Sequence, residues 1–165
     1  AQLPDQGPFS IRYPRGNGVM KEWRTPFQAL EIGKGRCLIQ GKDLAIISIG
    51  TAGQLAKRAI SKATDYSVAL YDMRFLKPLD EELLHQIFQN FSRIITVEDG
   101  TIQGGLGSAV VEFMTEHHYQ SRVVRLGIPD KFIEHGTQNQ LYKECHFDEE
   151  SILKHIIDLN TQQDI

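Results

Sequence analysis

Two neighbouring carboxylates, Glu98 and Asp99, are the side chains in this sequence best placed for chemistry. They follow an apolar, β-branched run at residues 94–97, which is typical of a strand buried on both faces. Open α/β sheets bind their ligands at the carboxyl ends of such strands. Because consecutive strand residues point to opposite faces, the two carboxylates suit a shared metal ion poorly. We therefore expect them to shape the following turn by capping its amides, or to face a neighbouring domain.

Four glycines follow the carboxylates, and such a cluster can hold the phosphates of a nucleotide. A dinucleotide-binding fingerprint requires the spacing GxGxxG directly after a strand. Here Gly105 and Gly107 begin several residues after the strand, and Val110 stands where the third glycine would be. The pattern instead predicts a tight turn and a helix that lies close to the sheet.

Arg15 is a second candidate, because it lies in the turn sequence Arg-Gly-Asn-Gly, which presents a guanidinium on a flexible backbone. Such a side chain could make a bidentate contact with a phosphate group. Residue types and spacing alone favour a solvated turn arginine.

The histidines and cysteines show no metal-binding spacing. His117 and His118 are adjacent instead of lying four residues apart on a helix, and Cys37 and Cys145 lie far apart. We interpret the cysteines as reduced thiols of a cytoplasmic protein. Among the histidines, only His135, in a predicted loop, is a candidate for a functional role.

Length and charge narrow the function classes. A chain of 165 residues fits one domain with an extension. Its net charge of -3 gives no basic face for a nucleic acid, and no apolar run approaches the roughly 20 residues of a membrane span. With no secretory leader recognised, we expect a cytoplasmic protein without nucleic-acid or membrane partners.

Regular alternation of strands and helices begins at residue 44 and predicts a parallel sheet covered on both faces. The turn Gly41-Lys42-Asp43 predicts that an earlier strand forms a hairpin with the strand at 44–49. Thr51, Asp80 and Thr137 are predicted helix caps. The expected fold is a three-layer α/β/α sandwich with a mostly parallel five-stranded sheet and one antiparallel edge strand. The predicted strands are 35–40, 44–49, 67–71, 94–97 and 122–126.

Four sequence motifs together resemble one enzyme family. They are IRYPRG at 11–16, DMRFLKPLD at 72–80, TVEDGTIQGGLGSAVVEF at 96–113 and LGIPDKFIEHGTQ at 126–138. In this order and approximate spacing they are similar to the carboxyl-terminal part of the 1-deoxy-D-xylulose 5-phosphate synthases, a transketolase C-terminal domain. The resemblance covers about residues 8–159.

The resemblance implies a transferase of two-carbon units. The family condenses pyruvate with glyceraldehyde 3-phosphate, releases CO2 and makes a precursor of isoprenoids, thiamine and pyridoxal. Its thiamine diphosphate and Mg²⁺ are held by two preceding domains that this sequence does not contain, so no cofactor ligand is expected in this chain. The resemblance further implies a cytoplasmic homodimer, in which this part packs on its own N-terminal domains and is inactive alone.

The family also implies a role for Arg15, which matches the arginine that binds the phosphate of glyceraldehyde 3-phosphate. Arg12 and Tyr13 would support it. Residues 1–41 would then be the tail of the preceding pyrimidine-binding domain and a linker, 42–160 the transketolase C-terminal domain, and 161–165 a disordered tail.

Two alternatives remain open at this point. The chain could be the C-terminal assembly domain of a transketolase or of a 2-oxo-acid dehydrogenase E1 β-subunit. A free-standing nucleotide-binding domain is the weaker alternative, since both nucleotide motifs are incomplete.

Overall fold

The computed structural model describes residues 28–161 continuously, and before them residues 7, 8, 10, 11, 13, 18, 24 and 26. Five strands and five helices lie in the continuous part. In chain order they are β1 Arg36–Ile39, β2 Leu44–Ile49, α1 Ala52–Lys62, β3 Val68–Asp72, α2 Glu81–Asn90, β4 Arg93–Thr101, α3 Leu106–Glu116, β5 Arg122–Ile128, α4 Gln138–Glu144 and α5 Glu149–Thr161.

The five strands form one sheet in the order β1-β3-β2-β4-β5. Strands β3, β2, β4 and β5 are parallel to one another, and β1 runs antiparallel to β3 at the edge. The predicted fold class is therefore confirmed. β1 is a member of the sheet although it precedes residue 42, and α5 extends to Thr161; residues 162–165 lie outside the described part.

The predicted hairpin between β1 and β2 is wrong. β1 pairs with β3, with Arg36 opposite Asp72, whereas β2 lies between β3 and β4. The turn after β1 crosses the start of β3, where the backbone N–H groups of Lys42 and Asp43 both donate to the carbonyl of Ser67, at 2.8 and 2.9 Å. This contact carries the chain past β3 before β2 begins.

Helices cover both faces of the sheet, and each face has its own apolar core. Ile46 of β2 points toward α1 and α5, whereas its neighbour Ile47 points toward α2 and α3. Both side chains are completely buried, as expected for the central strand of a parallel sheet. No helix among the described residues combines the length and the apolar character needed to cross a membrane.

Two of the three predicted helix caps are confirmed. Asp80 accepts a hydrogen bond from the backbone N–H of Leu83 at 3.1 Å, and Thr137 forms a capping box with Gln140. Thr51 makes no side-chain cap. Its backbone is already helical (φ -67°, ψ -23°), whereas a capping residue is normally extended.

Candidate functional site

The sheet changes its direction of winding between β2 and β4. From β2 the chain moves to β3 on one side, and it then returns to form β4 on the other side. The carboxyl ends of these two strands carry Thr51 and the pair Glu98 and Asp99. Parallel α/β sheets bind ligands at such a switch point, so this edge is the candidate functional site.

Glu98 is committed to holding the start of α3. One carboxylate oxygen accepts a hydrogen bond from the N–H of Leu106 at 2.8 Å, and the other accepts from the N–H of Gly107 at 2.9 Å. The side chain is 5% exposed. Its negative charge also lies at the positive end of the helix. The capping role predicted for the two carboxylates is confirmed for Glu98 and, among the described residues, not for Asp99. Neither oxygen of Glu98 faces solvent as an open ligand.

Two glycines make this close approach possible. A Cβ atom on Gly105 would lie 2.1 Å from the Glu98 carboxylate and 2.3 Å from the Thr101 carbonyl oxygen. On Gly107 it would lie 2.7 Å from the hydroxyl oxygen of Thr96. The glycine cluster therefore brings α3 onto the sheet, as the sequence predicted.

Asp99 points to the opposite face, where it lines a cavity of about 200 Å³. The other walls are mainly apolar and come from the end of β5, from α4 and from the segments beside α4. They include Ile128, Leu141, Tyr142 and Phe147. The two carboxylates thus serve different sites, and the expectation that they do not share a metal ion agrees with this geometry.

Burial and neighbouring charges both raise the pKa values of two side chains that line this cavity. Burial raises the pKa of the Tyr142 hydroxyl, and the negative charge of Asp99 raises it further. Burial is also the largest cause of a raised pKa for the Cys145 thiol, followed by the charge of Glu144. Both shifts favour the neutral forms of Tyr142 and Cys145. Asp99 is the one acidic side chain among the described residues that line the cavity.

The other predicted site residues are not among the described residues that form this edge. Arg15 and Arg12 lie outside the described residues, and Tyr13 is 78% exposed. His135 is an exposed residue of the segment between β5 and α4. Within the described part of the chain, no group of three or more histidine, cysteine or acidic side chains could hold a metal ion.

Sequence reasoning missed Tyr142 and Phe147 as site residues. Both are distant from Asp99 in sequence; Tyr142 lies in α4 and Phe147 in the segment between α4 and α5, and packing places both beside Asp99. The signal available was the apolar spacing Leu141, Tyr142 and Cys145, which marks the inward face of α4 but does not reveal a cavity.

Comparison with known proteins supplies the family. A family model described as "Transketolase, C-terminal domain" matches residues 33–152. A 1-deoxy-D-xylulose-5-phosphate synthase from Bacteroides thetaiotaomicron is 56% identical over 160 residues, which are 95% of this chain and 25% of that protein. The protein of the same name from Cytophaga hutchinsonii is 53% identical over 163 residues, 97% of this chain and 26% of its own length. The chain thus spans about a quarter of the length of these relatives.

Solved structures agree with the fold. A chain described as "Split gene transketolase, inactive beta4 tetramer" superposes with a TM-score of 0.75 at 30% identity, covering 86% of this chain and 46% of that one. A transketolase mutant from Pichia stipitis superposes with a TM-score of 0.58 at 17% identity, covering 78% of this chain and 18% of that one. The second likeness concerns the fold alone.

Proposed function

Because this chain belongs to the transketolase C-terminal domain family, we propose that it is the carboxyl-terminal part of a 1-deoxy-D-xylulose-5-phosphate synthase. The parent enzyme would transfer a two-carbon unit from pyruvate to glyceraldehyde 3-phosphate, with release of CO2. The observation that carries the proposal is the identity of 53–56% to synthases of that name over nearly the whole chain. The identities to transketolase structures are much lower, at 30% and 17%, so the synthase is favoured over the transketolase alternative.

The cofactors of the parent enzyme would be thiamine diphosphate and Mg²⁺, bound by its other domains. The described residues of this chain do not fit these groups. Both oxygens of Glu98 already accept backbone hydrogen bonds, and Asp99 would repel a diphosphate in a cavity with apolar walls. We assign this chain a structural role in a cytoplasmic homodimer, packing on the N-terminal domains of the parent enzyme.

We expect the chain alone to be inactive and not to bind the cofactor. Isothermal titration of the chain with thiamine diphosphate in the presence of Mg²⁺ should give no saturable heat at micromolar cofactor concentration. The similar split-gene transketolase chain is itself described as inactive, which supports this expectation. Micromolar binding by the isolated chain would contradict the assignment of the cofactor site to other domains.

Arg15 is the residue that we propose to bind the phosphate of glyceraldehyde 3-phosphate, supported by Arg12 and Tyr13. In the full-length enzyme, Arg15→Ala should raise the KM for glyceraldehyde 3-phosphate about tenfold or more. The reason is that a charge-assisted hydrogen bond contributes about 1.5–3 kcal/mol. The KM for pyruvate, which has no phosphate, should change little.

Steady-state kinetics with each substrate varied in turn provides the measurement. Arg12→Ala is the matched variant, since it removes the same kind of charge from a flanking position and should have a smaller effect. Equal increases in both KM values for Arg15→Ala would indicate a general disturbance of the enzyme instead of a lost phosphate contact.

A further inference from the structure

The cavity at the end of β4 combines features that the proposed role of the chain does not use. Its volume is about 200 Å³, and it opens at the carboxyl edge of the parallel strands. It is separated from the Glu98 cap by the sheet itself, because Glu98 and Asp99 point to opposite faces. A concave apolar site with one charged side chain at this edge is the usual form of a ligand site in an α/β protein.

Asp99 is the charged group of this cavity. It is half-buried, and it makes no hydrogen bond or ion pair within the described part of the chain. The nearby ammonium group of Lys131 is paired with Glu144 at 3.4 Å. Because the walls beside this carboxylate are mainly apolar, its attraction for a cation in the cavity is screened less than it would be in bulk water.

Two aromatic rings form the wall of the cavity next to this carboxylate. Tyr142 and Phe147 have ring centroids 5.0 Å apart and planes inclined by 49°. Phe147 is almost completely buried, and Tyr142 is partly buried. The faces of aromatic rings attract cations, and proteins recognise ammonium groups with aromatic side chains in this way.

We propose that this cavity binds a small organic ammonium ion, with the cationic head against Asp99 and the hydrocarbon part among Tyr142, Phe147 and Leu141. An anionic ligand is disfavoured, because two negative charges, Glu144 and Asp99, act near Cys145 against the single positive charge of Lys131, which is itself paired with Glu144. A purely apolar ligand would leave the carboxylate without a partner. The inference goes beyond the activity proposed above and does not depend on it.

The test titrates this chain of 165 residues with n-butylammonium as the probe. Backbone amide shifts in NMR spectra should change saturably at Asp99, Ile128, Leu141 and Cys145. 1-Butanol is the neutral analogue of n-butylammonium and has the same number of heavy atoms. It should bind at least about tenfold more weakly, as expected for loss of a charge-assisted contact.

Two variants distinguish the effect of the Asp99 carboxylate on binding from the effect of removing any negative charge from the surface. Asp99→Asn should reduce the affinity for n-butylammonium to that for 1-butanol, while Asp130→Asn, at an exposed position just after β5, should leave it unchanged. Tyr142→Leu should weaken binding of the cation more than binding of the alcohol. The amide spectra of each variant report whether it is folded.

Three results obtained with this chain would overturn the proposal, and a fourth concerns the parent enzyme. The three are the absence of saturable shifts at the cavity, equal affinities for the ammonium ion and the alcohol, or equal losses in Asp99→Asn and Asp130→Asn. If the ammonium ion binds to this chain and the same resonances do not respond in the full-length parent enzyme, another part of that polypeptide fills the cavity, and the proposal fails for the assembled protein.

Discussion

Replacing Glu98 by alanine should lower the free energy of unfolding of this chain by about 4 kcal/mol, because two buried N–H groups lose a charged acceptor at once. The carboxylate accepts from Leu106 and Gly107 at 2.8 and 2.9 Å, and it is 5% exposed. Water cannot easily replace it at this position, so the first turn of α3 would have unsatisfied donors inside the protein. Urea unfolding followed by circular dichroism measures the effect.

The conservative variant Glu98→Gln separates the charge from the shape of the side chain. Glutamine keeps one acceptor oxygen but turns an NH2 group toward the second N–H donor. We expect a loss of about 2 kcal/mol, intermediate between the wild-type chain and the alanine variant. As a control, Glu112→Ala removes an exposed carboxylate from the same helix and should change stability by less than about 0.5 kcal/mol. If Glu98→Ala is as stable as Glu112→Ala, Glu98 does not hold the start of α3.

The role of Glu98 was open to sequence reasoning because it depends on local rules. A buried strand followed by two carboxylates and a glycine cluster predicts that a carboxylate caps the amides of the next turn, without saying which of the two does so. Strand alternation separates Glu98 from Asp99 without any knowledge of distant residues. The cavity beside Asp99 was not predictable in the same way, since Tyr142 and Phe147 reach it only through the packing of α4 onto the sheet.

The difference between local patterns and contacts between distant residues also explains which features of the sheet were predicted correctly. The apolar runs in β2 and β4 predicted strands buried on both faces, because such a strand has no polar alternation. They did not show that β2 would be the central strand of the sheet. The pairing of β1 was mispredicted, since a glycine-containing turn between two strands usually indicates a hairpin. The actual partner, β3, follows β2 and α1 in the chain. Nothing in the local sequence indicates that the turn packs against the start of that later strand.

Gly41 is the residue that permits this contact, and Gly41→Ala should therefore be severely destabilising. A Cβ atom at this position would lie 2.1 Å from the backbone nitrogen of Ala69 and 2.3 Å from the carbonyl carbon of Val68. Backbone atoms inside a sheet cannot move aside as the end of a flexible side chain can. The turn would have to leave β3, with loss of the two hydrogen bonds to the Ser67 carbonyl. We expect a loss of about 4 kcal/mol in the free energy of unfolding.

Gly50 provides a matched control at the end of β2. It has φ +65°, which disfavours alanine, but nothing lies within 4 Å of an added Cβ. Gly50→Ala should therefore cost about 1–2 kcal/mol from backbone conformation alone. Urea unfolding of both variants separates steric contact from backbone preference. If Gly41→Ala costs no more than Gly50→Ala, the turn can move away from β3 without penalty. The contact at Gly41 would then not be the reason why β1 pairs with β3 instead of with β2.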